Sequence, residues 1–153
     1  MGTKKVLIGM SGGVDSSVAA HLLLRAGFEC IGATMRLYSP ESSEPESTCC
    51  SLEDVEDARS VAYRLGIPFY AFNFKDAFRK KVMDSFVDAY EQGLTPNPCI
   101  ECNRYLKFDA FLQRALELGC GYVATGQYAR IEFDETSGRY LLKKAADLSK
   151  DQT

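Results

Sequence analysis

Ile8-Gly9-Met10-Ser11-Gly12-Gly13-Val14-Asp15-Ser16-Ser17 decides the reading of this chain. Ahead of it, Lys4-Lys5-Val6-Leu7-Ile8 has the apolar character of a buried strand. Behind it, Val18, Ala19, Ala20, Leu22, Leu23 and Leu24 suit a helix. The motif therefore sits on a strand-to-helix turn. Gly12 and Gly13 lack a Cβ, so the backbone can approach a ligand closely and adopt positive φ. The helix behind them offers unpaired N–H groups and a positive dipole end, a seat for phosphates. Ser11, Ser16 and Ser17 add hydroxyls. Asp15 would repel phosphate directly, so its expected task is to hold Mg²⁺ that bridges phosphate oxygens.

The remaining chain extends this unit. Phe28-Glu29-Cys30-Ile31-Gly32-Ala33-Thr34-Met35 reads as a second buried strand. Strand, helix, strand implies a parallel right-handed crossover. Ligands of such sheets gather at the carboxyl ends of the strands. Met35 falls there, either meeting an adenine through its backbone or packing in the core. Residues 38–50 are polar and end in Cys49-Cys50, for which the sequence offers no use beyond a loop. Ser51 suits an N-cap for a helix carrying Val55, Ala58, Val61, Ala62 and Leu65. Residues 67–72 give a third strand, and residues 74–92 an amphipathic helix with Phe78, Val82, Phe86, Val87 and Tyr90. Arg79-Lys80-Lys81 on that helix reads as a solvated face, with phosphate contact as the alternative. A further helix runs through Phe108, Phe111, Leu112, Ala115 and Leu118, and residues 120–126 form a fourth strand and turn. Residues 127–144 alternate around Glu135-Thr136-Ser137-Gly138, a β-hairpin pattern. The expectation is an α/β fold with a doubly wound, mostly parallel sheet of five strands and a C-terminal β-hairpin.

Composition sets limits. A length of 153 residues suits one domain, and the ending at Lys150-Asp151-Gln152-Thr153, with no closing element, suggests a truncated one. No apolar run reaches the length of a membrane span, and the N-terminus lacks a secretory leader, so a cytoplasmic protein is expected. The six cysteines then read as thiols, ligands or nucleophiles rather than a disulfide frame. A net charge of −3 lacks the basic surplus usual for nucleic-acid binding. A nucleic-acid substrate would need local patches or parts outside this sequence. Cys30 and Cys120 lie in apolar strands and read as core thiols, and His21 as a packing or surface residue.

A second centre stands at Asn97-Pro98-Cys99-Ile100-Glu101-Cys102. Asn97 suits an N-cap and Pro98 the first helical position. Cys99 and Cys102 would then share nearly one face of the opening turns, where a helix N-terminus favours thiolate. Such thiolates can attack, accept sulfur, form a disulfide, bind metal or only pack.

The spacing of the first motif excludes the two commoner phosphate loops, since neither Gly-x-x-x-x-Gly-Lys-Ser/Thr nor Gly-x-Gly-x-x-Gly is present. Its Ser-Gly-Gly-x-Asp-Ser core resembles the pyrophosphatase loop of adenylating enzymes, which cut ATP between the α and β phosphates. Taken with Thr95 to Asn103, Lys107-Phe108, Ala124-Thr125-Gly126-Gln127-Tyr128-Ala129 and Lys150-Asp151-Gln152, the chain resembles the tRNA-specific 2-thiouridylases from end to end. The resemblance implies an adenine nucleotide alpha hydrolase-like, Rossmann-like domain that binds ATP and adenylates wobble uridine before sulfur transfer. It implies that Gly9, Met10, Ser11, Gly12, Gly13, Val14, Asp15, Ser16, Met35 and Gly126 bind ATP. Cys102 would be the catalytic nucleophile, closing a disulfide or assisting sulfur release. Asn97, Pro98 and Cys99 would meet the target base, while Gln127, Lys150, Asp151 and Gln152 would contact tRNA. The sulfur would come from a persulfide donor protein through a second cysteine beyond residue 153, followed by further domains. Many members carry Asp at the position of Cys99 and His at that of Gln127. Cysteine at position 99 points to an alternative within the family, in which Cys99 and Cys102 help hold an iron–sulfur cluster.

Overall fold

The computed structural model describes residues 4–37 and 52–151. Cys49, Cys50, Ser51 and Gln152 lie outside these residues. Four strands form one parallel sheet: β1 (Lys5–Gly9), β2 (Glu29–Arg36), β3 (Phe69–Asn73) and β4 (Tyr122–Thr125), in the order β3-β2-β1-β4. Register runs Ile8 opposite Gly32 on one side of β1 and Ile8 opposite Ala124 on the other. The two centremost strands, β1 and β2, read as continuous apolar runs because both faces of a doubly wound sheet are covered.

The alternation of β1 allots its side chains to two cores. Val6 and Ile8, with Cys30, pack against Ala20 of α1 (Val14–Arg25) and Ala58 and Ala62 of α2 (Leu52–Leu65). Leu7, with Ile31 and Ala33, faces the opposite layer, built from two long helical runs. The first run joins α3 (Lys75–Phe78), a π-helical segment (Arg79–Met83) and α4 (Asp84–Glu91). The second joins α5 (Pro98–Cys102), a π-helical segment (Asn103–Ala110) and α6 (Phe111–Glu117). Phe78, Val82, Leu106, Phe111 and Ala115 from these runs close the second core.

The π-helical segments shift which side chains face inward. Leu106 and Phe111, five residues apart, are both fully buried, whereas the expected core residues Phe108 and Leu112 are exposed. A wider turn, with i to i+5 bonding, brings positions five apart onto one face, which a 3.6-residue period does not. Val87 and Tyr90 of α4 are likewise exposed, as are Arg79, Lys80 and Lys81.

The expectation of five strands is corrected to four among the described residues. The remaining strands, β5 (Arg130–Asp134) and β6 (Arg139–Lys143), pair only with each other, antiparallel, as the expected hairpin. No described helix is long and apolar enough to cross a membrane.

Candidate nucleotide-binding and thiol site

The strand order reverses between β1 and β4: the chain winds outward through β2 and β3 with α1 and α2 on one face, then returns to β4 with its helices on the other. In open α/β sheets the ligand crevice lies at this switch point, outside the carboxyl ends of the strands. Gly9 ends β1 and Thr125 ends β4, and the two are paired. The glycine loop and the turn at Gly126 therefore flank one crevice.

The loop is built by interlocking contacts. Met10 is buried, its N–H donates to the Ala33 carbonyl at 2.8 Å, and its carbonyl accepts from the buried Thr34 hydroxyl at 2.6 Å. Met10 thus anchors the loop to β2, with its side chain in the core. The Ser11 N–H donates to Ser16 Oγ at 3.2 Å, and the Ser16 hydroxyl donates to the Gly13 carbonyl at 3.1 Å. The Ser17 hydroxyl donates to the same carbonyl at 2.8 Å. Ser16 is buried, while Ser11, Gly13, Val14 and Asp15 are exposed. Gly13 occupies the N-cap of α1 and supplies no side-chain cap, so no capping side chain competes with an anion for the first N–H groups of the helix.

Two glycines allow this fit. Gly12 sits at φ +80°, and a Cβ there would lie 2.8 Å from the Asp54 carbonyl oxygen of α2. A Cβ on Gly126 would lie 2.6 Å from the Ser16 nitrogen and 2.7 Å from the Asp15 carbonyl carbon. The turn after β4 thus rests directly on the first turn of α1. From that turn Tyr128 reaches across and donates its hydroxyl to Asp15 Oδ1 at 2.5 Å. This hydrogen bond, with the Asp15 charge behind it, raises the Tyr128 phenol above its ordinary pKa, so it remains a donor at neutral pH. The bond engages one oxygen of the Asp15 carboxylate. A single exposed carboxylate beside these uncapped N–H groups suits Mg²⁺, which binds through one or two carboxylates and the phosphates of a substrate while keeping several waters.

Sequence reading attached no role of its own to Tyr128 or Thr34. Tyr128 carried a signal in its place within the Ala124–Ala129 motif, and Thr34 in being a polar side chain in the apolar middle of a strand. Met35 is half-buried and packs against the core that contains Leu7 and Phe111. Gln127 and Lys150 are exposed. Asp151 accepts the Ala145 N–H at 2.9 Å and so ties the segment after the hairpin to itself.

The second centre has the expected local geometry. Asn97 is the N-cap of α5, its side-chain oxygen accepting the Cys99 N–H at 3.0 Å, with Pro98 next in line. Cys99 is exposed, and Cys102 is half-buried against the core. The second run passes from Phe111, against Gly9 at the carboxyl end of β1, to Gly121, whose N–H donates to the Lys5 carbonyl at the amino end, so α5, which opens that run, lies on the glycine loop's side of the sheet. Between α4 and α5 lies a cavity of about 300 Å³, walled by Val82, Phe86, Pro96, Pro98 and Ile100, with Glu101 beside them. The four described cysteines form no disulfide with one another. No group of three or more His, Cys, Asp or Glu side chains gathers around a metal position among the described residues. Cys99 and Cys102 would supply two ligands of a cluster, and the others would come from elsewhere.

Comparison with known proteins places the chain in a family. Residues 4–153 match the family described as tRNA methyl transferase HUP domain. The chain belongs to that family. This HUP domain is 59% identical over 151 residues to the tRNA-specific 2-thiouridylase MnmA of Clostridioides difficile strain 630, covering 98% of the chain and 42% of that relative. It is 56% identical over 156 residues to the protein of the same name from Acetivibrio thermocellus, covering 100% of the chain and 44% of the relative. The chain thus spans less than half the length of these relatives. Among solved structures, a glutamine-dependent NAD⁺ synthetase from Acinetobacter baumannii aligns with a TM-score of 0.55 at 22% identity, over 80% of this chain and 21% of that one. A predicted subunit of tRNA methyltransferase from Methanocaldococcus jannaschii aligns with a TM-score of 0.51 at 19% identity, over 81% and 53% of the two chains. At these identities the likeness is one of fold.

Proposed function

We propose that residues 1–153 are the ATP-binding adenylation domain of a cytoplasmic tRNA 2-thiouridylase, a tRNA-uridine 2-sulfurtransferase. The observation that carries the reading is one sheet edge holding both the open glycine loop with Asp15 and the capped helix start with Cys99 and Cys102. High identity to proteins named tRNA-specific 2-thiouridylase supports it.

In this reading the first N–H groups of α1 and the hydroxyl of Ser11 bind ATP phosphates. Asp15 holds Mg²⁺, which supplies charge neutralisation on those phosphates. Gly126 lets the turn after β4 close on the nucleotide, and the backbone near Met35 borders its adenine. Asn97, Pro98 and Cys99 orient the target uracil, with the adjoining cavity to receive it. The uracil 2-oxygen attacks the α-phosphorus and pyrophosphate leaves. A persulfide, held on a second cysteine outside these residues and loaded by a donor protein, attacks C2 through its terminal sulfur, and AMP leaves. Cys102 thiolate then attacks the inner sulfur. The S–S bond breaks, its electrons remain on the sulfur bound to C2, and a disulfide joins the two cysteines. A dithiol reductant resets them. Gln127, Lys150, Asp151 and Gln152 contact tRNA in this scheme. If instead Cys99 and Cys102 share an iron–sulfur cluster with a third cysteine, the protein would be brown and lose activity on iron chelation.

The test is the nucleotide product formed from ATP, Mg²⁺ and unmodified tRNA. AMP and pyrophosphate, dependent on tRNA and lost in Asp15→Ala, are expected. ADP and phosphate would overturn the reading. If residues 1–153 give no turnover, a full-length relative carrying the equivalent aspartate substitution decides the matter by the same products.

A further inference from the structure

We propose that Tyr128 is a positioning residue for the metal-binding carboxylate of Asp15. The proposal rests on the reading of the glycine loop as a magnesium–nucleotide site. Tyr128 stands two residues past Gly126, whose backbone lies flat on the first turn of α1, where a Cβ would fall 2.6 Å from the Ser16 nitrogen. That close approach fixes the start of the turn against the residue next to Asp15. The Tyr128 hydroxyl then reaches Asp15 Oδ1 at 2.5 Å, joining residues 113 apart in sequence across the mouth of the crevice. Asp15 is otherwise an exposed side chain at a helix start, with several rotamers open to it. A hydrogen bond from a fixed donor selects one of them and uses one oxygen, so the other is presented to a cation. Holding a ligand in its bound geometry raises affinity by cutting the ordering cost of binding. Removing the hydroxyl should therefore weaken binding only where the cation takes part.

The experiment is calorimetric binding of α,β-methylene ATP, in excess Mg²⁺ and separately in EDTA. It uses the wild-type chain, Tyr128→Phe, Asp15→Asn and the double variant. Phenylalanine keeps the ring, and both sites are exposed, so far-UV circular dichroism should show all four folded. A hydrogen bond to a charged group is commonly worth a factor of about ten in affinity. Tyr128→Phe is thus expected to weaken binding about tenfold in Mg²⁺ and less than about twofold in EDTA. In the Asp15→Asn background the same change should have less than about a twofold effect in either condition. Equal losses in Mg²⁺ and EDTA would make Tyr128 a purely structural residue and overturn the proposal. So would a loss that persists in Asp15→Asn, or no loss at all. Failure of the wild-type chain to bind nucleotide in either condition would instead overturn the nucleotide reading, and this proposal with it.

Discussion

The two chemical centres of this chain are built in opposite ways. The glycine loop is braced from three sides: by β2 through Met10 and Thr34, by α2 behind Gly12, and by the turn after β4 through Gly126 and Tyr128. Its geometry is over-determined before any ligand arrives. The Cys99–Cys102 helix start has one local cap from Asn97, an exposed Cys99 and an exposed Ile100. In our proposal the loop cradles a small charged nucleotide, and such a loop gains from preorganisation, because misplaced donors cost binding and rate. In the same proposal the thiol pair meets a macromolecular substrate and a second cysteine, and such a pair gains from access. The difference teaches that substitutions at the first centre should be felt as structure and those at the second as chemistry.

The comparison breaks first at Gly126. A Cβ there would stand 2.6–2.8 Å from three backbone atoms of Asp15 and Ser16, none of which can swing aside as a side-chain tip would. Gly126→Ala should cost about 3 kcal/mol of stability by urea unfolding, at the upper end of ordinary overpacking. A cost below about 1 kcal/mol would show that the turn is free to lift from α1, and the brace would be weaker than described. Gly12→Ala comes next. It adds strain at φ +80° to a contact of 2.8 Å with the Asp54 carbonyl oxygen, and about 2 kcal/mol is expected by the same measurement.

Much of the first centre was legible because its signals are local and compositional. Strand, glycines and helix follow one another in sequence, and Val6-Leu7-Ile8 reads as buried on both faces because both faces are buried. Asn97 and Pro98 were legible for the same reason: a cap and a first-turn proline act on neighbours two residues away. What escaped is non-local or breaks the assumed period. Nothing near Tyr128 in sequence points to Asp15, 113 residues earlier. The π-helical segment after Cys102 moved Leu106 inward and Phe108 outward, where a 3.6-residue period places Phe108 on the core face. The expected fifth sheet strand had no stretch of its own in the sequence, which carries four sheet strands and a hairpin, and the described residues form those four strands with β5 and β6 as the hairpin.

At the second centre a smaller structural effect is expected. Asn97→Ala removes the acceptor for the Cys99 N–H and should cost about 1 kcal/mol, the usual value of an N-cap. Asn97→Asp should restore most of it, since aspartate caps equally well and its charge suits a helix N-terminus. A loss above about 3 kcal/mol would mean that this helix start is braced like the glycine loop, and the contrast would fail.

The smallest structural effect, and the sharpest test of access, is thiol reactivity in the native chain. Burial raises the Cys30 and Cys120 thiols above their ordinary pKa, so each carries less thiolate at any given pH. The thiolate is the reacting form, and burial also blocks approach of a reagent. Cys99 is exposed and Cys102 half-buried. With iodoacetamide at pH 7.5 and peptide mapping over time, Cys99 should label first, Cys102 next, and Cys30 and Cys120 only with global unfolding. Raising the pH to 8.5 should still leave Cys30 and Cys120 far behind, because the raised pKa keeps them as thiols over that range. Labelling of Cys120 at a rate comparable to Cys99 would mean that β4 opens readily. Since β4 carries the turn that rests on Asp15 and Ser16, the brace on the glycine loop would then be a transient one, and the distinction between a preformed site and an accessible one would disappear.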